Sequence, residues 1–144
     1  MTRPFEQLVP TDGSQKTPED DARALSALDG TALHSPRLSV ACLRREVLRM
    51  SQLIEHMMRP VITRYKDGDL VQIKATCEYD KLVNQALDGI RHYVANMPTK
   101  EMSKSETRHV RELAEYAINL ETAGDIVAKR LMSLAAKKSK QEIK

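Results

Sequence analysis

Aromatic residues make up 3% of this chain of 144 residues, with no Trp and one Phe. That scarcity argues against a sheet protein, whose strands draw on aromatic and β-branched side chains. Cysteine is limited to Cys42 and Cys77, which lack CxxC spacing. The expectation is two buried free thiols in a reducing compartment, not a disulfide or a zinc site. No apolar run approaches the roughly 18 or more residues of a membrane span, and the N-terminus lacks the charged-then-apolar layout of a signal peptide. The chain therefore reads as soluble and cytosolic. Ala, Leu, Met, Lys, Glu and Arg dominate what remains, and with 41% hydrophobic residues there is enough apolar material for one helical domain.

Charge is unevenly distributed. Residues 1–34 hold three basic against six acidic side chains, and residues 35–144 hold 20 against 14. Part of the second excess is the terminal run Lys137, Lys138, Lys140 and Lys144, which suits the negative end of a helix dipole and reads as a solvated helix end. Contact with anionic headgroups of the inner leaflet is the alternative use of that tail. Nucleic acid is not an expected partner, because neither a binding motif nor an aromatic platform accompanies the charge.

Residues 1–34 read as a linker, since Pro4, Pro10, Asp12-Gly13-Ser14 and Pro18 interrupt any periodicity. A short helix from Thr17-Pro18 to about Leu28, stopped at Asp29-Gly30, fits within it. The first long helix begins at Ser35-Pro36 and extends to about 66. Leu43, Val47, Met50, Ile54, Met57 and Val61 step along it by alternating fours and threes. Pro60 falls inside this pattern, where a kink or a restart is expected. The second helix covers 69–96, with Ile73, Cys77, Val83, Leu87, Ile90, Val94 and Met97 on one side and Asp80 and Asn84 in the same stripe. The third covers 103–137. It opens on a capping box, Ser103 with Glu106, and carries Val110, Leu113, Ala117, Leu120, Gly124, Val127, Leu131 and Leu134. Three antiparallel helices joined by short turns make an all-α, up-down-up bundle, here 35–144 with a basic C-terminal tail.

Polar residues intrude on these seams in two places. Gly124 sits mid-helix, where glycine costs about 1 kcal/mol relative to alanine. It is flanked by Glu121 and Asp125, an i,i+4 pair of like charges. A glycine there permits close approach of another helix, and the paired carboxylates suit a hard cation or facing basic groups. Asp80 and Asn84 interrupt the second helix at its middle, where acids from adjacent antiparallel helices could converge. Unpaired carboxylates would be costly, so a metal, a basic partner or a proton must compensate. Ion pairing is favoured over metal, with Lys129 four residues after Asp125 and Arg45, Lys81 or Arg91 as interhelical partners. Glu106-x-x-His109 mimics half of a di-iron site, but no second copy exists and the capping box accounts for Glu106. His34, His56 and His92 are isolated and read as exposed or core-edge. Met57 and Met58 read as packing, and no Ser has a base and orienter at recognisable spacing.

Glu121-Thr122-Ala123-Gly124-Asp125 resembles the E-R-I-G-D element of PhoU proteins. Glu78-Tyr79-Asp80-Lys81-Leu82-Val83-Asn84, with Ile90 and Tyr93 beyond it, resembles the acidic element of the preceding helix in that family. Leu28-Asp29 through Ser35-Pro36, followed by Arg44-Arg45-Glu46-Val47-Leu48-Arg49-Met50, is similar to the PhoU-like domain that follows the membrane part of bacterial sodium/phosphate cotransporters. Arg3-Pro4 and Leu8-Val9-Pro10 look like the segment after the last membrane helix. The resemblance implies a non-catalytic accessory or regulatory domain of sodium-dependent phosphate transport, at the cytoplasmic face of the inner membrane, with the membrane phosphate transporter portion as partner. It also implies clustered iron or another divalent metal, with Asp80, Glu121 and Asp125 as ligands by match and Asn84 in the place of a further acid. Complete PhoU proteins carry two three-helix units in tandem and this chain has one, so a homodimer is expected. The alternatives are a metal-binding helical-bundle enzyme or storage protein, and a free-standing helical adaptor. Apolar spans encoded upstream of Met1 would separate the last from a transporter domain.

Overall fold

The computed structural model describes residues 26–62 and 70–142. Helix α1 spans Pro36–Ile62, α2 Leu70–Ala95 and α3 Lys104–Glu142, with short 3-10 turns at Gly30–His34 and Thr99–Glu101. Each long helix packs against the other two, and no strand occurs among the described residues. Arg44 of α1 reaches His109 of α3, and Ile54 lies against Gly124, so α1 and α3 run in the same direction. Asp80 of α2 meets Gly124, while Tyr93 near the end of α2 donates to the carbonyl of Asp29 just before α1. α2 therefore runs opposite to both, which gives the expected up-down-up bundle.

The helix starts follow from their caps. Ser35 Oγ accepts from the Leu38 amide at 3.3 Å and begins α1. In the capping box of α3, Ser103 Oγ accepts from Glu106 N and Glu106 Oε1 accepts from Ser103 N, both at 3.1 Å. Asp29 does not stop a helix. Its carboxylate accepts from Thr31 N at 2.9 Å and Thr31 Oγ1 at 2.7 Å, which opens the 3-10 turn instead. Most of the short helix expected from Thr17 lies outside the described residues, and residues 26–29 are not helical. α1 is continuous through Pro60 and is described to Ile62, while the expected end near 66 lies outside the described residues. Proline removes the bond to the carbonyl four residues back without interrupting the helix here. α3 continues beyond the expected 137 to Glu142.

The row sealed most completely on α1 is Ser39, Leu43, Glu46, Met50, Leu53 and Met57, all at 0% exposure. Its steps of four and three are those of the expected seam, displaced so that Leu53 and Glu46 lie inside and Ile54 is half-buried. From α2 come Ile73, Thr76, Tyr79, Val83, Ala86, Leu87, Ile90 and Tyr93, and from α3 Val110, Ala117, Gly124, Ala128 and Leu131. Burying each Leu, Met, Ile or Val contributes about 1.5–3 kcal/mol. On α3 the seam ends at Leu131, because Met132 and Leu134 are exposed. Over the described residues, at about 1.5 Å per residue, α3 is roughly 18 Å longer than α1. Both cysteines are free thiols, Cys42 buried and Cys77 half-buried.

Candidate functional site

Gly124 is buried where α3 meets both α1 and α2. A Cβ added there would lie 2.7 Å from Ile54 Cδ1, 3.6 Å from Met57 Sδ and 3.7 Å from Asp80 Oδ1. Glycine is thus the residue that lets α1 close onto α3 with Asp80 of α2 alongside. The seam of α2 runs 76, 80, 83, 87 and 90, so the helical repeat turns Asp80 inward although it is charged. Its Oδ1 is shut off from solvent and has no hydrogen-bond partner among the described residues.

Asp80 feels Asp125 and Lys129 of α3 across the interface. Burial is the larger cause holding its carboxyl above the ordinary carboxylate value, the Asp125 charge adds to it, and Lys129 opposes both. Lys129 Nζ pairs with Asp125 Oδ2 at 2.9 Å, the i,i+4 bridge expected from the spacing. The hydrogen bond to Asp125 raises the ammonium's pKa most, and Asp125, Glu121 and Asp80 favour its charge. One ammonium therefore serves three carboxylates from two helices. It is 77% exposed, so each interaction is screened by water.

The structure thus brings Asp80 and Asp125 to one place, with Glu121 half-buried nearby through Lys129. Asn84 is not part of it. One turn beyond Asp80, it faces solvent and not the seam. No group of three His, Cys, Asp or Glu side chains that could hold a metal ion is found among the described residues. Lys129 supplies the cationic charge beside Asp80, Glu121 and Asp125. Arg45, Lys81 and Arg91, expected as interhelical partners, are exposed and form no ion pair among the described residues.

Two buried polar groups escaped the sequence reading. His56 is 9% exposed and stacks on Tyr79, ring centroids 5.6 Å apart and planes 13° from parallel, so it joins α1 to α2. Glu46 accepts from Ser26 Oγ at 2.7 Å, from Ala27 N at 2.6 Å and from Arg49 Nε at 2.8 Å. It ties the segment before α1 to the bundle. The signal for Glu46 was its place in a four-three row, 43, 46, 50, 53, 57, masked by the neighbouring Arg44-Arg45. Tyr93, whose hydroxyl donates to Asp29 O at 2.9 Å, holds the same segment. Burial, then Cys42, pushes that phenol up to about 12.

The fold and this polar seam define a three-helix bundle whose middle is built from a glycine and acids on facing helices. The chain belongs to the PhoU domain family, whose profile matches residues 47–131, more than half of its length. It is 38% identical over 110 residues to the "Putative inorganic phosphate export protein YjbB" of Salmonella typhimurium, and 36% identical over 110 residues to the protein of the same name from Escherichia coli K12. Each alignment takes in 76% of this chain, which spans about 20% of the length of those relatives. No solved structure matches. No helix among the described residues is long and apolar enough to cross a membrane.

Proposed function

We propose that this chain is a non-catalytic regulatory domain of membrane phosphate transport, acting through protein contact at the cytoplasmic face of the inner membrane on a phosphate transporter portion in the same or another chain. The observation that carries this reading is the alignment of 110 residues with proteins named for inorganic phosphate export, in which the aligned segment is only a fifth of a longer chain. A bundle of this kind, lacking a membrane-crossing helix among its described residues, suits an accessory part attached to a larger body. The resemblance of residues 28–50 to the domain of sodium/phosphate cotransporters extends the proposal to sodium coupling. Co-expression of the chain with the membrane portion of such a transporter tests it. Co-purification together with a changed phosphate flux supports the reading, and a chain that neither binds nor alters flux removes it.

Self-association is proposed from large apolar side chains left exposed on α3, Ile126 at 62% and Met132 at 57%. Light scattering at high concentration is expected to give twice the 16.3 kDa chain mass, and a strict monomer would contradict it. A metal role is a separate proposal, which the orphaned Oδ1 of Asp80 beside Asp125 favours and the lack of a third ligand opposes. Elemental analysis of protein purified without chelator decides it, stoichiometric metal being the supporting result.

A further inference from the structure

At the end of the bundle opposite to the α3 tail, the first turns of α1 and α3 enclose a groove of about 540 Å³ lined by Arg37, Arg44, Ser105, Arg108, His109 and Glu112. Arg37 and Arg44 are seven residues apart, two helical turns along one face of α1, and Arg108 stands on α3. None of the three guanidiniums has a carboxylate within ion-pair distance among the described residues. Arg44 Nη2 lies 2.9 Å from His109 Nε2. An arginine can only donate, so that ring nitrogen accepts and the ring proton sits on Nδ1, 4.0 Å from Glu112 Oε2. His109 thus orients Arg44. Glu106 also borders the groove, with one oxygen committed to the α3 cap.

Three arginines lining one concavity without an ion-pair partner among the described residues favour an anion between them. The geometry points to this groove as a binding site for the hydrogen phosphate ion, held by Arg37, Arg44 and Arg108 and assisted by Ser105 and the N-terminal end of the α3 dipole. Glu112 selects the anion. Hydrogen phosphate retains a P–OH proton that a carboxylate accepts, whereas sulfate and phosphodiesters carry none and meet only repulsion there. The inference rests on the phosphate-linked reading above and gives that reading a sensor.

Titration of the full chain with inorganic phosphate, followed by calorimetry and by amide NMR shifts, tests it. Saturable binding is expected, with shifts concentrated at residues 37–44 and 105–112 and weaker binding of sulfate. Arg44→Ala and Arg108→Ala each lower affinity about tenfold or more, the loss expected for one charge-assisted contact. Glu112→Gln erases the preference over sulfate. Arg45→Ala, on the same helix but outside the groove, leaves binding unchanged, and circular dichroism verifies that each variant folds. No binding, equal binding of sulfate, or binding only to ATP or to anionic vesicles overturns the proposal. Failure here with an intact effect on flux removes the groove and keeps the regulatory reading, whereas binding without an effect on flux does the reverse.

Discussion

Asp80 carries an oxygen sealed from water and without a hydrogen bond, so its charge is a burden on the fold. The folded chain retains this proton at pH values where the unfolded chain has released it. Stability is therefore full below the ordinary carboxylate pKa of 3.8 and declines as the pH rises through the higher folded value. Asp80→Asn is expected to raise unfolding free energy at neutral pH and to flatten its fall above pH 3.8, as measured by denaturant unfolding across pH. A destabilised Asp80→Asn protein would show instead that attraction to Lys129 outweighs burial. Gly124 makes a second demand at this scale. The alanine methyl clashes only with the flexible tip of Ile54, and roughly 1 kcal/mol of helix propensity offsets an off-rotamer cost of about 0.5–1.5 kcal/mol. Gly124→Ala should change stability by less than about 1 kcal/mol. Gly124→Leu, closed in by Met57 and Asp80 as well, should lose about 1–3 kcal/mol or more in the same denaturation assay.

Among the elements, α1 carries the most completely sealed row, and Glu46 is its charged member. Replacing it by alanine strands the donors of Ser26 and Ala27 and removes the pairing with Arg49. Glu46→Ala is predicted to cost roughly 2–4 kcal/mol and to speed hydrogen exchange at the Ala27 amide, whereas unchanged exchange would show that Tyr93 alone holds the segment. The helices were legible because apolar steps of four and three, Ser35-Pro36 and the Ser103–Glu106 box each name a local physical cause. The face of each helix was less so. Two rows of equal spacing, one through Val47 and Ile54 and one through Glu46 and Leu53, coexist on α1, and only packing against α2 and α3 decides which is innermost. At the acidic seam, Asp80, Asp125 and Lys129 followed from helical spacing. Asn84 did not, because one turn carries it out of a seam that the heptad places four residues earlier. His56 was read as isolated, since its partner Tyr79 lies on another helix.

At the scale of the molecule, the bundle has two ends of different character. The long α3 projects with exposed Met132 and Leu134 at one, and three arginines surround a groove at the other. Between them lies Gly124, with Ile54 and Met57 of α1 and Asp80 of α2 against it. Exposed apolar side chains at one end and a basic groove at the other suit the proposed regulatory role. Radiolabelled phosphate flux, measured in cells that express the membrane transporter portion with and without this chain at matched transporter levels, tests that claim most directly. The account predicts that the chain changes the flux and its dependence on phosphate concentration. Identical flux at every phosphate concentration would contradict it.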